Sequence, residues 1–219
     1  MVDIALIKTS LPYLLRGALV SLQIAALACS IGLVLGIIIG VIQTGRARFL
    51  YFLASIYTTI VRGTPMLIQI AFAYFVLPEF GVNLSAFWVS VVAIGLNSGA
   101  YVGQIIRSGI ASVSKGQIEA AKVLGLSSWQ ITRYIILPQA ISMVLPALGN
   151  EFITLIKDSS LASTIGVMEL SKEASLIKSR TYDALSTYIA VTLCYLIMTI
   201  SLSFLLNKLE KRMSRHVSH

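Results

Sequence analysis

Glu151 and Asp158, two acids seven residues apart in an apolar stretch, are the side chains best placed to do chemistry in this sequence. If one helix carries both, seven steps leave them about 20° apart on one face and about 10 Å apart along the axis. Carboxylates so disposed line a path for a cation or an ammonium group. An acid at the centre of a membrane helix costs about 2.5 to 3.5 kcal/mol, and such residues face a bundle interior or a watery cavity. Asp158 has a second reading, as a local partner of Lys157 or a cap for the turn at Ser159 and Ser160. Asn97 and Ser98 set an amide and a hydroxyl between Gly95 and Gly99. An amide donates to a carboxylate and accepts from an ammonium, which suits a zwitterion. It equally suits a helix-to-helix hydrogen bond worth about 0.6 kcal/mol. Arg62 either steers a carboxylate, pairs with an acid or snorkels to an interface. With Thr64 beside it and Ser160, the candidate substrate-binding set is Arg62, Thr64, Asn97, Glu151, Asp158 and Ser160.

Other chemistries are poorly provided for. A phosphate cradle needs a Gly-rich loop ending in Lys-Ser or Lys-Thr at a helix start, and no such string occurs. ATP hydrolysis by this chain is therefore not expected. His216 and His219 are the only histidines, and Cys29 and Cys194 sit in apolar runs without paired spacing. The cysteines read as buried spectators, and no catalytic residue, metal site or cofactor is expected within the chain.

These side chains must be positioned by membrane helices. With 57% hydrophobic and 12% charged residues and a mean hydropathy of +0.86, the 219 residues read as one membrane domain, 1–219. Five spans are expected, near 17–42, 49–77, 84–106, 137–156 and 184–206, in an all-α fold. The first is uncharged throughout. Its Gly32, Gly36 and Gly40 form a stripe that either permits close helix packing or reflects the tolerance of membrane helices for glycine. The first run looks too long for a cleavable signal. The second span is expected to break at Arg62-Gly63-Thr64-Pro65, where proline removes a donor and pushes Thr64 from helical geometry. Phe72, Tyr74 and Phe75 read as packing rather than a substrate cage.

Between the third and fourth spans lies a polar, amphipathic insert, residues 115–134, that something soluble must meet. A short helix over Ile118–Leu124 is expected, with Glu119 in its first turn, where the helix dipole favours an anion. Gly125 supplies a left-handed stop. Ala120 and Ala121 leave a face of little bulk, and the capping-box spacing of Ser127 and Gln130 starts a second helix running toward Pro138. The alternative is an ordinary interfacial helix pair, which Lys115, Lys122 and Arg133 also suit.

Glu119, Ala120, Ala121, Gly125, Ile135, Leu137 and Pro138 together resemble the EAA loop of permease subunits of ATP-binding-cassette importers. Val61–Gln69, VRGTPMLIQ, and Asn150–Val167, NEFITLIKDSSLASTIGV, resemble stretches of the polar amino acid permeases, the histidine, glutamine and arginine permease family. The Asp-Ser-Ser at Asp158 is a mild departure from the Asp-Thr-Ser of many relatives. The resemblance implies a type I importer fold with five helices and a cytoplasmic coupling helix. It implies that Glu119, Ala120, Ala121 and Gly125 meet an ATPase subunit that carries the ATP and Mg²⁺. A second permease subunit, identical or not, and an extracytoplasmic amino-acid-binding protein are the other implied partners. The cargo implied is a polar L-amino acid carried by alternating access. The two-acid face favours a basic one, with glutamine the close alternative.

A net charge of +8 would suit nucleic acid in a soluble protein; here the cations read as orientation signals. With the N-terminus outside, the inner segments hold Arg46, Arg48, Arg107, Lys115, Lys122, Arg133, Lys208, Lys211, Arg212 and Arg215. The outer ones hold Lys8, Arg16, Lys157, Lys172, Lys178 and Arg180, with a loop that also carries Glu169, Glu173 and Asp183 and has room to re-enter the membrane. This favours the 115–134 loop and the C-terminus in the cytoplasm of a bacterial inner-membrane protein. A secondary transporter or channel subunit using the acids as ion sites is the competing class.

Overall fold

In the computed structural model the backbone is described for residues 2–45 and 47–217 and the side chains for 2–45 and 47–208. The side chains of Arg46, Lys211, Arg212, Arg215, His216 and His219 lie outside the described residues. The elements are α1 (Ile4–Thr44), α2 (Arg48–Gly63), α3 (Met66–Phe75), a 3-10 turn (Leu77–Phe80) and α4 (Ala86–Ala111). Then follow α5 (Lys115–Val123), α6 (Ser128–Ile131), a π turn (Thr132–Ile136), α7 (Leu137–Asp158), a 3-10 segment (Ser159–Ile165), α8 (Leu170–Thr181) and α9 (Ala184–Val217). Among the described residues four stretches are long and apolar enough to cross a membrane: Ile4–Thr44, Ala86–Ala111, Ser128–Ile165 and Ala184–Lys208. The broken pair α2 and α3 supplies the fifth expected passage.

The first helix begins thirteen residues earlier than expected, since α1 starts at Ile4 rather than at residue 17. Asp3 is the reason: its carboxylate accepts the Leu6 N–H at 3.0 Å, satisfying one of the free donors at the helix start. Pro12 and the charges of Lys8 and Arg16 do not stop the helix.

The pairing of α1 with α4 is the most extensive in the molecule. Gly32, Gly36 and Gly40 receive Ser98, Val102 and Ile106 of α4, while Gly95, Gly99 and Gly103 of α4 receive Ile31, Leu35 and Ile39 of α1. A Cβ on Gly36 would lie 2.3 Å from Val102 Cγ1. The glycine stripe is therefore a packing device, and it has a reciprocal stripe on its partner.

The break at Thr64 and Pro65 forms where expected, and Gln69 completes it. Its amide nitrogen donates to the Val61 carbonyl at 2.7 Å, the Thr64 carbonyl at 3.1 Å and the Thr64 hydroxyl at 2.8 Å. One side chain thus covers carbonyls that the interrupted helix leaves without backbone partners.

The loop differs from expectation in two ways. Its helix α5 starts at Lys115, three residues early, so Glu119 stands in the second turn and not the first. Ala121 is buried, so it packs the loop and offers no outward face. The segment after the capping box runs toward Pro138 as expected and on past it: the Leu137 N–H bonds to the Thr132 carbonyl five residues back, and this π turn leads directly into α7. The rest holds. Gly125 adopts φ +80°, and its N–H bonds to Lys122 O while that of Leu126 bonds to Ala121 O, a Schellman stop. Ser127 and Gln130 form the reciprocal capping box.

On the opposite end, α8 is anchored by Glu169, which is fully buried. Its carboxylate caps Ser171 and Lys172 through their N–H groups and accepts the hydroxyls of Ser21 and Tyr195, joining α1, α8 and α9. Burial pushes this carboxyl above the ordinary Glu value, and the four hydrogen bonds oppose that rise. Gly17 makes the junction possible, because a Cβ there would lie 2.8 Å from the Leu170 backbone.

Candidate translocation site

Helix α7 runs unbroken through Asp158, so the condition for Glu151 and Asp158 to share a face is met. Glu151 is held in place by Ser98, whose hydroxyl donates to Oε1 at 2.8 Å. Ser98 itself is buried, and it reaches Glu151 across a contact that only a glycine at position 32 leaves room for: a Cβ there would be 2.6 Å from Ser98 Oγ. The most extensive helix packing in the fold is thus what fixes this acid.

Glu151 faces a cavity of about 350 Å³ between α2, α4 and α7, within the size range of small-molecule sites. Arg62 lines it too, its guanidinium 5.2 Å from the centre of the Tyr101 ring. The wall continues along one face of α4, through Tyr101, Gln104 and Ser108, and along α7 through Ala147 and Met143. A carboxylate and a guanidinium engaged by different neighbours therefore face the same space, an arrangement complementary to the two ends of a zwitterion.

The other candidates are distributed differently. Asp158 and Ser160 are not on the wall of this cavity. Asp158 makes no side-chain cap to the following 3-10 segment, so the capping reading of this residue is not what forms. Ser160 lends its carbonyl to the Ser163 hydroxyl at 2.6 Å. Asn97 donates to Gln69 Oε1 at 3.0 Å, the helix-to-helix bond, tying α4 to the α3 side of the break. The Thr64 hydroxyl donates to Ile60 O and accepts from Gln69, so its bonding capacity is engaged within the break. Thr64 lines a different, apolar groove with Tyr57, Ile68 and Phe72.

Sequence reasoning passed over Tyr101, Gln104 and Ser108. Their signal was available: positions 101, 104 and 108 lie on one helical face, and an amide inside an apolar run requires a partner. Gln104 has one in Gln43, the residue just beyond the first expected span. At the loop, Glu119 and Ala120 are exposed as expected, and the prominent groups beside them are bulky: Val123, Leu124 and Trp129 are 88%, 78% and 71% exposed.

Residues 32–215 match the family of binding-protein-dependent transport system inner membrane components. The chain belongs to this family. It is 40% identical over 213 residues to the glutamine transport system permease protein GlnP of Escherichia coli (strain K12), covering 96% of this chain and 97% of that one. Its fold superposes with a TM-score of 0.91 on a crystal structure of an amino acid ABC transporter with histidines, at 40% identity over 97% of this chain and 99% of the other. The MetNI methionine ABC transporter in an inward-facing conformation shares the fold, with a TM-score of 0.77 at 21% identity over 93% of this chain and 97% of the other. The protein is thus an all-helical permease component of an ATP-binding-cassette amino acid importer of the type I fold, a membrane-spanning subunit and not itself the ATPase.

Proposed function

We propose that this permease, acting as a single domain over residues 1–219, carries a polar L-amino acid across the bacterial inner membrane by alternating access. Glu151 receives the α-ammonium and Arg62 the α-carboxylate. The observation that carries the reading is the pair of opposite charges on one 350 Å³ cavity. One acid and one guanidinium balance a zwitterion and leave no second carboxylate there for a cationic side chain, which favours glutamine over the basic cargo that the two-acid pattern suggested. The glutamine permease from Escherichia coli supports the same choice. Of the wider candidate set, Asn97 and Thr64 hold the helix break beside this head-group site, and Asp158 and Ser160 stand off its wall, Asp158 at the end of α7.

Glu119, Ala120 and Gly125, with Val123, Leu124 and Trp129, form the knob that docks on an ATPase subunit, and Ala121 supports it from within. That subunit binds the ATP and Mg²⁺, and this chain holds no cofactor. A second permease subunit and an extracytoplasmic amino-acid-binding protein complete the assembly, with the N-terminus outside and the C-terminus in the cytoplasm. An ion-gradient mechanism leaves the exposed knob without a purpose.

The test is uptake by the complete transporter in proteoliposomes. Glu151→Gln lowers uptake of glutamine and arginine alike by about tenfold or more, the loss expected when one charge-assisted hydrogen bond is removed. Asp158→Asn spares glutamine. Unimpaired uptake of both amino acids by correctly inserted Glu151→Gln overturns the assignment.

A further inference from the structure

A row of hydrogen bonds behind the cavity has a fixed direction. The Thr58 hydroxyl donates to the Ala54 carbonyl at 3.0 Å and the Ser55 carbonyl at 3.1 Å, so its single proton is committed within α2. Toward Gln43 the hydroxyl can then only accept, and it takes a hydrogen bond from Gln43 Nε2 at 3.3 Å. With its nitrogen turned to Thr58, Gln43 offers its oxygen to α4, where Gln104 Nε2 donates to it at 3.3 Å. Gln43 and Thr58 are buried, so water does not scramble the order. Each link therefore fixes the next, and the last one leaves the Gln104 carbonyl oxygen without a partner among the described residues. Gln104 stands on the wall of the cavity that also holds Arg62 and Glu151.

We propose that Gln104 is a specificity-determining residue: its carbonyl oxygen accepts a hydrogen bond from an N–H on the side chain of the cargo, and Thr58, acting through Gln43, sets which end of Gln104 faces the cavity. The inference rests on the cavity being the cargo site. An amide-ended or cationic side chain supplies the donor that this oxygen needs. A carboxylate-ended side chain presents acceptors to an acceptor, and neither partner is satisfied. Rejection of that kind is steep, because a site built to hydrogen-bond one group leaves a buried polar atom unpaired when another enters. Thr58 and Gln43 are positioning residues: neither is on the cavity wall.

The experiment measures equilibrium binding of glutamine, arginine and glutamate to the purified permease and ATPase complex in nanodiscs without the binding protein, whose own selectivity would mask that of the permease. The wild type binds glutamine, arginine or both at least about tenfold more tightly than glutamate. Thr58→Val keeps the shape but deletes the acceptor that orders the row, so either end of Gln104 can face the cavity and the ratio falls severalfold toward one. Thr58→Ser restores the hydroxyl and the wild-type ratio. Gln104→Met lowers the ratio directly, by weakening glutamine and arginine binding more than glutamate binding. If Thr58→Val binds its cargo with an unchanged ratio, the relay is overturned while the cavity assignment stands. If Thr58→Val does not fold, Gln43→Met carries the same expectation. Failure of both glutamine and arginine to bind the wild-type complex at millimolar concentration overturns the cargo site and the relay together.

Discussion

Buried polar side chains in this fold are constrained more by what they already bond than by what they are. Glu169 illustrates it. An acid in a loop between spans looks like one more charge in an orientation count, yet it is the buried joint of three helices. Because burial raises its folded value above the ordinary 4.5, the native state holds this proton more tightly than the unfolded chain does. Its contribution is therefore fully present below about 4.5 and is lost as pH rises through the raised folded value. Thermal unfolding in nanodiscs should give a higher Tm at pH 4.5 than at pH 7.5, and Glu169→Gln should lose part of that slope. A slope identical to wild type excludes Glu169 as its source. The sequence singled out Glu151 and Arg62, which line one cavity, because a charge inside an apolar run has few explanations. Gln43, Gln69 and Gln104 were not singled out, since a neutral amide costs less to bury and only its partners reveal its use.

Elements were legible where a single residue punctuates them, as at Pro65, Gly125 and Ser127, and less so where tertiary contact or a local bond overrides the punctuation, as at Pro12 and Pro138. Glycine separates the two cases. Gly36 has no conformational duty; it exists to let α1 approach α4, and a Val there collides with Val102 and with the Gly103 backbone nitrogen, 2.9 Å from the new Cβ. Gly125 is the reverse: nothing lies within 4 Å of a Cβ there, but its φ of +80° strains any other residue by about 1 to 2 kcal/mol. Gly36→Val should therefore sharply reduce the yield of folded, membrane-inserted protein. Gly125→Val should insert normally and still assemble, but lose much of the coupling between ATP hydrolysis and uptake, because the stop of α5 is what aims Val123, Leu124 and Trp129. Uptake per ATP hydrolysed, measured in proteoliposomes, checks this; a wild-type ratio in Gly125→Val removes the loop from the coupling path.

At the scale of the whole molecule, the apolar windows of the segments carrying α7 and α9 stay largely uncovered within one chain, which fits a subunit that meets lipid and further subunits rather than a self-contained channel. Composition announced the membrane; it did not announce which faces are shared, because lipid and a neighbouring helix select the same residues. Orientation is the remaining global property, and the cation bias that sets it is moderate, ten on the inner segments against six on the outer when Arg62 is left within its span. The fold sharpens the test. Val123 in the knob and Tyr182 after α8 lie toward opposite ends of α7 and are 88% and 91% exposed, so a cysteine at either is open to reagent where no partner covers it. The native thiols, Cys29 and Cys194, are free and only partly buried and must first be replaced. In intact spheroplasts a membrane-impermeant maleimide should label Tyr182→Cys and spare Val123→Cys, and permeabilisation should expose the second. Labelling of Val123→Cys alone in intact cells would invert the topology, put the knob on the side without ATP, and remove the ATPase-docking role with it.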